Sequence, residues 1–376
     1  MEHYLDNAAT TAVCPEAAEA AVKAMTLCYG NPSSTHAKGR EAAKLLGSSR
    51  AAVAQALDCK PEELFFTSCG SESDNWALLG GAEAARRVGR HIISSAVEHD
   101  AVRKSLELLE GRGWEVTRLK PGADGAIAAE DVRGALREDT ALVSLMLVNN
   151  ETGGVTDIAA VARILRAEGS RALLHTDAVQ GFMKVPFSAK SLGADMISIS
   201  GHKIHAPKGI GALYIRSGLR LPPLIVGGGQ EGGRRAGTEA MGQIAAFAAA
   251  AQLAREGMAE NCARMAALKA RTLERLRMEI PELEWIDSAA PHILSVSLPG
   301  WRSEVLMNFL EAREIYVSKS SACKKGGRSH VLEAMGLSPR TIDGALRIGL
   351  SRYTTQEDID ALCLGLKEAR DRLAHR

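Results

Sequence analysis

The chain has 376 residues, is 46% hydrophobic and only 4% aromatic, and carries a formal net charge of +1 from 46 basic and 45 acidic side chains. That length buries a large core and suits two domains. The charge balance leaves no bulk attraction for nucleic acid or an anionic membrane, and the few aromatics argue against a base-stacking surface.

The first residues, MEHYLDNAATT, show neither a basic nor an apolar leader region, and no apolar run is long enough to span a bilayer. A helix is expected after Pro15 (EAAEAAVKAM), where proline near the start costs little, and another from about His36 to Leu57. Short apolar runs follow: LFF at 64–66, HIISS at 91–95, ALVSLMLV at 141–148, ALLH at 172–175, MISIS at 196–200 and GALYI at 211–215. Helical stretches such as SLELLEG and DIAAVARILRAEG lie between most of them. This alternation predicts an α/β fold whose mostly parallel sheet is covered on both faces. AAFAAAAQLA (245–254) reads as a buried helix. Beyond about residue 256 the pattern changes to a long amphipathic helix stopping before Pro281, a strand-like HILSVSL, a helix from Ser303, an irregular segment at 318–328 and a final helix after Thr355. The expected division is a large domain at 12–255 and a smaller α+β domain from 1–11 and 256–376.

Seven cysteines are scattered with no C-x-x-C pair. Neither a zinc cage nor a disulfide framework is expected, and no metal; free thiols suit a reduced, cytoplasmic protein.

Several segments carry candidate chemistry. MISISGHKIHAPKGIGALYI (196–215) sets Lys203 just past a strand, at the sheet edge where open α/β folds bind ligands. A lysine in a partly dry site becomes nucleophilic and can form a Schiff base with an aldehyde cofactor; an isolated one is usually solvated. In HTDAVQ (175–180), Asp177 could hold a pyridine nitrogen protonated, or simply cap a helix. TSCGSESDN (67–75) could present backbone N–H groups to a phosphate at a helix start, though small-residue turns of this kind are common. His99 in VEHDAV and Asn150 in LVNNETGG also follow strands. VGGGQEGGRRAGTEA (226–240), with Arg234, Arg235 and Thr238, reads equally as an anion-wrapping loop or a flexible surface loop. Most of these motifs would converge on one sheet edge, which weighs more than any alone.

The motifs LDNAATT, YGNPSSTH, EHDAV, VNNETGG, HTDAVQ, SGHK-x-x-x-PKGIGALYI, AGTE and SSAC occur in the order found in cysteine desulfurases of the NifS/IscS type, and the chain resembles that family from about Tyr4 to beyond Tyr353. The resemblance implies the fold-type I architecture of class-V pyridoxal-phosphate (PLP) enzymes, with a mostly parallel seven-stranded sheet in the large domain. It implies that Lys203 carries PLP, Asp177 pairs with the pyridinium nitrogen, and His99 stacks on the ring and handles protons. Gln180 and Asn150 would contact the ring, and Gly70, Ser71, Ser200 and His202 would bind the phosphate. Thr238 would reach the phosphate of the other subunit of a homodimer. Arg347 would grip the carboxylate of L-cysteine, with Asn31 helping at the substrate. Cys323 would accept sulfur as a persulfide and pass it to an acceptor protein serving iron–sulfur cluster assembly or tRNA thiolation. Lys319, Lys324, Lys325 and Arg328 surround Cys323 in sequence, and nearby cations lower a thiol pKa.

This sequence departs from the family pattern in places. Cys69 stands where glycine is usual and Ser71 where threonine is usual; Lys319-Ser320 replaces Ser-Gly, and the segment after Cys323 is about two residues shorter than in well-known members. Selenocysteine lyase or another class-V reaction is the nearest alternative activity, and a non-catalytic sulfur-assembly scaffold the alternative of another class. A dinucleotide enzyme fits less well, since no G-x-G-x-x-G follows an early strand.

Overall fold

The computed structural model of the chain describes residues 2–319 and 327–373. Its central sheet has seven strands, in the spatial order Leu64–Thr67, Gly211–Ile215, Met196–Ser200, Leu173–Asp177, Thr140–Ser144, His91–Ser95 and Glu115–Leu119. Gly211–Ile215 runs antiparallel to both neighbours and every other pairing is parallel. Five-residue strands such as Met196–Ser200 are buried throughout, as expected of strands covered on both faces. Alternate residues sort to opposite layers. Ile92, Leu142, Met196 and Leu213 pack with Trp76, Leu78 and Leu106 on one side. Ile93, Val143, Ile197 and Ala212 pack with Val53, Val161 and Phe247 on the other. The seventh strand that the resemblance implies is Glu115–Leu119, which no apolar run marks. It lies at the sheet edge and is half exposed, so its residues EVTRL lack the apolar run that marks the others.

The helices have local causes. Pro15 opens Pro15–Thr26 at the first position. The His36 ring accepts from the Gly39 N–H at the head of Ala37–Leu57, and the Asp157 carboxylate accepts from the Ala160 N–H before Ile158–Ala167. Met241–Glu256, the Ala-rich helix, is largely buried. A Cβ on its Gly242 would meet Met25 Cγ at 2.8 Å, so glycine there allows the close approach of the first helix.

A second, antiparallel sheet orders Ser318–Lys319, Ala345–Gly349, Ile293–Ser297 and Glu284–Ile286. Its apolar residues join those of helices Met258–Glu279, Ser303–Glu311 and Gln356–Arg372 in a separate core, which also takes in Leu5. Thr355 and Asp358 form a capping box at the start of the last helix. The amino-terminal His3–Tyr4 pairs with Ile315–Tyr316, and the chain then crosses to the main sheet. No described helix is long and apolar enough to cross a membrane.

Candidate active site

The carboxyl ends of the central strands open on a cavity of about 350 Å³. Five of the seven strands deliver residues to it: Leu64–Thr67 leads to Gly70 and Ser71, His91–Ser95 to Glu98 and His99, Thr140–Ser144 to Asn150 and Glu151, Leu173–Asp177 to Asp177 and Gln180, and Met196–Ser200 to Ser200, His202 and Lys203. Arg347, from the second sheet, closes the far wall. Ten of the thirteen residues expected at the site therefore share one cavity. Thr238 and Asn31 do not reach it; they line a separate surface cleft, where Thr238 is exposed. Cys323 lies outside the described residues.

The amino terminus forms part of the wall. Lys203 Nζ donates to the carbonyls of Ala8 (2.7 Å) and Ala9 (2.6 Å), and Gln180 Nε2 donates to Ala8 O at 2.8 Å. Asn7 Nδ2 donates to Gly349 O at 3.0 Å. A Cβ on Gly349 would stand 2.4 Å from Ala8 N, so only glycine permits this crossing. His202 pairs through Nδ1 with Thr10 Oγ1 at 3.1 Å, and burial with neighbouring Lys203 pushes its pKa down to about 3, leaving a neutral ring.

Asp177 is buried; its Oδ1 accepts from the Val179 N–H at 2.9 Å. Burial pushes its carboxyl upward, while the charges of His99 and Lys203 pull it down. His99 caps Asp100–Glu110 by accepting the Ala101 N–H on Nδ1 at 3.1 Å. A neutral ring so held carries its proton on Nε2.

Arg347 is 3% exposed. Its Nη1 donates to Asn150 O (3.0 Å), and its Nη2 donates to Asp6 Oδ1 (3.0 Å) and Ser318 Oγ (2.8 Å). Its Nε has no partner among the described residues. These contacts fix a planar donor fork at the cavity wall, an arrangement suited to a carboxylate.

Three buried carboxyls escaped the sequence reading. Asp74 is fully buried, and burial together with nearby Asp177 raises its pKa. Glu98 accepts from Ser95 Oγ (2.5 Å) and the Met146 N–H (3.1 Å), its Oε2 is unpartnered among the described residues, and burial pushes it up to about 8. Glu151 accepts from Ser329 Oγ, and burial pushes it up to about 7. Position next to His99 and within TSCGSESDN was the only available signal for Glu98 and Asp74. A carboxyl raised by folding binds a proton that the unfolded chain releases above about 4.5, so its contribution to stability falls as pH rises from there to the folded value. We expect the stability of the wild type relative to Glu98→Gln to fall between about pH 4.5 and 8, by up to about 1.4 kcal/mol per unit. Thermal midpoints of both proteins across that range check it; parallel curves would refute it.

One flank of segment 320–326 lines this cavity, and the other reaches it through Arg347. On one side Ser318 holds Arg347. On the other, Arg328 and His330 line the wall, Ser329 bonds Glu151, and the His330 ring pairs with Glu98 O at 3.1 Å. The six described cysteines form no disulfide. Burial pushes the Cys59 and Cys363 thiols up to about 12 and about 11, which makes them poor nucleophiles. Cys69 lines the cavity. The glycine-rich loop proves to be pinned from within: Arg50 grips Glu231 through two bonds of 2.6 and 2.7 Å, Arg235 pairs with Glu72 at 2.7 Å, and Arg234 stacks on Phe65 at 4.8 Å. Its two arginines are thereby engaged inside the chain.

The class-V aminotransferase family matches residues 3–362, and the chain belongs to it. Within that class it is 40% identical over 362 residues to a protein named cysteine desulfurase IscS from Methanosarcina thermophila, an alignment covering 95% of this chain and 89% of the relative. A solved structure titled NifS-like protein superimposes with a TM-score of 0.93 at 38% identity, covering 99% of this chain and all of that one. Another, titled SspA in complex with cysteine, gives a TM-score of 0.81 at 32% identity, over 94% of this chain and 100% of that one.

Proposed function

We propose that this protein is a PLP-dependent cysteine desulfurase that converts L-cysteine to L-alanine and takes the sulfur on Cys323. The observation that carries this reading is the convergence of Lys203, Asp177, Arg347, Arg328 and His330 on one cavity, with Ser318 bonded to Arg347 behind it.

The residues present fit PLP. Ser200 Oγ and Gln180 Oε1 border the cavity, buried and without a partner among the described residues. Gly70 opens a helix, and a Cβ there would strike Val179 Cγ2 at 2.7 Å. Gly70, Ser71, Ser200 and His202 would hold the phosphate, Asp177 the pyridinium, Gln180 and Asn150 the ring substituents, and Lys203 the aldehyde carbon. When bound, PLP supplies an electron sink for the carbon from which a proton is removed.

The chain's own groups do the rest. Arg347 orients the substrate carboxylate. Lys203 takes the Cα proton, and His99, with its proton on Nε2, serves proton transfer at the substrate. The Cys323 thiolate attacks the substrate sulfur. The Cβ–S bond breaks, its electron pair stays with the three-carbon unit, and protonation releases that unit as alanine, leaving a persulfide on Cys323 for transfer to an acceptor protein. In a homodimer Thr238 would complete the partner's phosphate site, and Asn31 would help at the substrate; both lie on a surface cleft clear of their own chain's main cavity. Residues 1–11 and 256–376 then act as the small domain that brings Arg347 and Cys323 to the larger one, and unpaired thiols suit a cytoplasmic setting.

The test is alanine and sulfide release from L-cysteine with a reductant. The wild type should give equal amounts of both, and Cys323→Ala should lose nearly all of it. Unchanged release from the variant would overturn the persulfide route.

A further inference from the structure

Lys203 also lines a small second cavity of about 30 Å³. On this scale a water needs on the order of 10–15 Å³, so the space admits one or two small occupants. Lys184 and Arg352 line it together with Lys203, His205, Asn261 and Ser351, and no carboxylate does. Lys184 is 6% exposed, and its Nζ has no hydrogen-bond partner among the described residues. Nε and Nη2 of Arg352 are also buried without a partner. The charged groups acting on Lys184 are Lys203 and Arg347, both cations; those acting on His205 are Arg352 and Lys184. His205 Nδ1 donates to Ala12 O at 2.9 Å, so that ring nitrogen is already engaged.

A buried ammonium and two buried guanidinium nitrogens on the wall of one small cavity, with no carboxylate beside them, are costly unless something negative sits between. Arginine does not lose its proton under ordinary conditions, so neutralising Lys184 alone would still leave the Arg352 donors unmet. Water satisfies donors but brings no charge. We propose that this cavity binds one monovalent inorganic anion of halide size, held by Lys184 Nζ and the Nε and Nη2 of Arg352. The site is distinct from the phosphate and carboxylate positions of the main cavity and stands whether or not the activity proposed above is correct. Burial and the neighbouring cations draw Lys184 down to about 7; an anion would restore its charge, so affinity should weaken as pH rises above neutrality. On every side the titratable groups facing Lys184 and Arg352 are Lys203, His202, His205, His292, Arg347 and Tyr353, and burial holds the three histidines neutral.

The experiment uses bromide as probe. Crystals of the cofactor-loaded protein grown in sodium bromide should show a bromine anomalous peak between Lys184 and Arg352. In solution, exchanging gluconate for bromide at constant ionic strength should raise the wild-type melting midpoint by several degrees, and Lys184→Met should lose both effects. If Lys184→Met does not fold, Arg352→Gln serves in its place with the same expectations. Water alone in the wild-type cavity, with no anomalous signal and no bromide-dependent midpoint, would overturn the proposal, as would a variant that binds bromide as the wild type does.

Discussion

Replacing Lys203 with alanine should lower alanine formation from L-cysteine by at least about 10³-fold, since proton transfer by a positioned group alone contributes on the order of 10²–10⁴. The same variant should lose the visible absorption of a cofactor joined to the protein through nitrogen. The structure says why the loss is chemical rather than structural. The Lys203 amine is only half buried and donates to the carbonyls of Ala8 and Ala9 at the edge of a 350 Å³ cavity, where water can replace it. The melting midpoint of the cofactor-free protein should therefore move little. Absorption spectra, turnover and melting curves on one preparation check all three statements. A variant that keeps both the absorption and the turnover would show that another lysine carries the chemistry.

Replacing Arg347 with leucine should act on substrate binding and on stability together. The guanidinium serves Asn150 O, Asp6 and Ser318 at once. Removing it strands a partly buried carboxylate, and breaking a buried ion pair costs about 3 kcal/mol. The loss of a two-pronged contact should raise the KM for L-cysteine about 100-fold, roughly 2.8 kcal/mol at 1.4 kcal/mol per tenfold. A structural defect alone would not change which substrates are preferred. L-cysteine methyl ester, which lacks the carboxylate charge, provides that readout: the wild type should favour the acid strongly, the variant should not, and Arg347→Lys should recover part of the preference. An unchanged KM with unchanged preference would remove Arg347 from the substrate site.

Much of this was legible in the sequence because burial leaves a strong mark. MISIS and HIISS are covered on both faces and read as strands to the residue, and Lys203 and Asp177 could be placed at the sheet edge because each follows such a run. Glu115–Leu119 was missed because an edge strand needs no apolar run. The carbonyls of Ala8 and Ala9 were invisible for another reason: backbone acceptors carry no side-chain signature, and they meet Lys203 only through the tertiary path of the amino terminus. The pinning of the glycine-rich loop was illegible for the same cause, since Arg50 and Glu231 lie 181 residues apart. Resemblance supplied the role of Cys323, which composition and spacing alone left open.

The crossing of Asn7 and Ala8 against Gly349 bears on how the molecule is made. The wall formed by residues 7–9 is made before its partners, which are 195 residues away at Lys203 and 342 away at Gly349. Contacts of such separation form late, after the closure entropy of nearly the whole chain has been overcome. The nascent chain therefore cannot become a competent catalyst by halves. A ribosome stalled anywhere before the last strand of the second sheet holds a polypeptide with its lysine in place and its pocket unclosed.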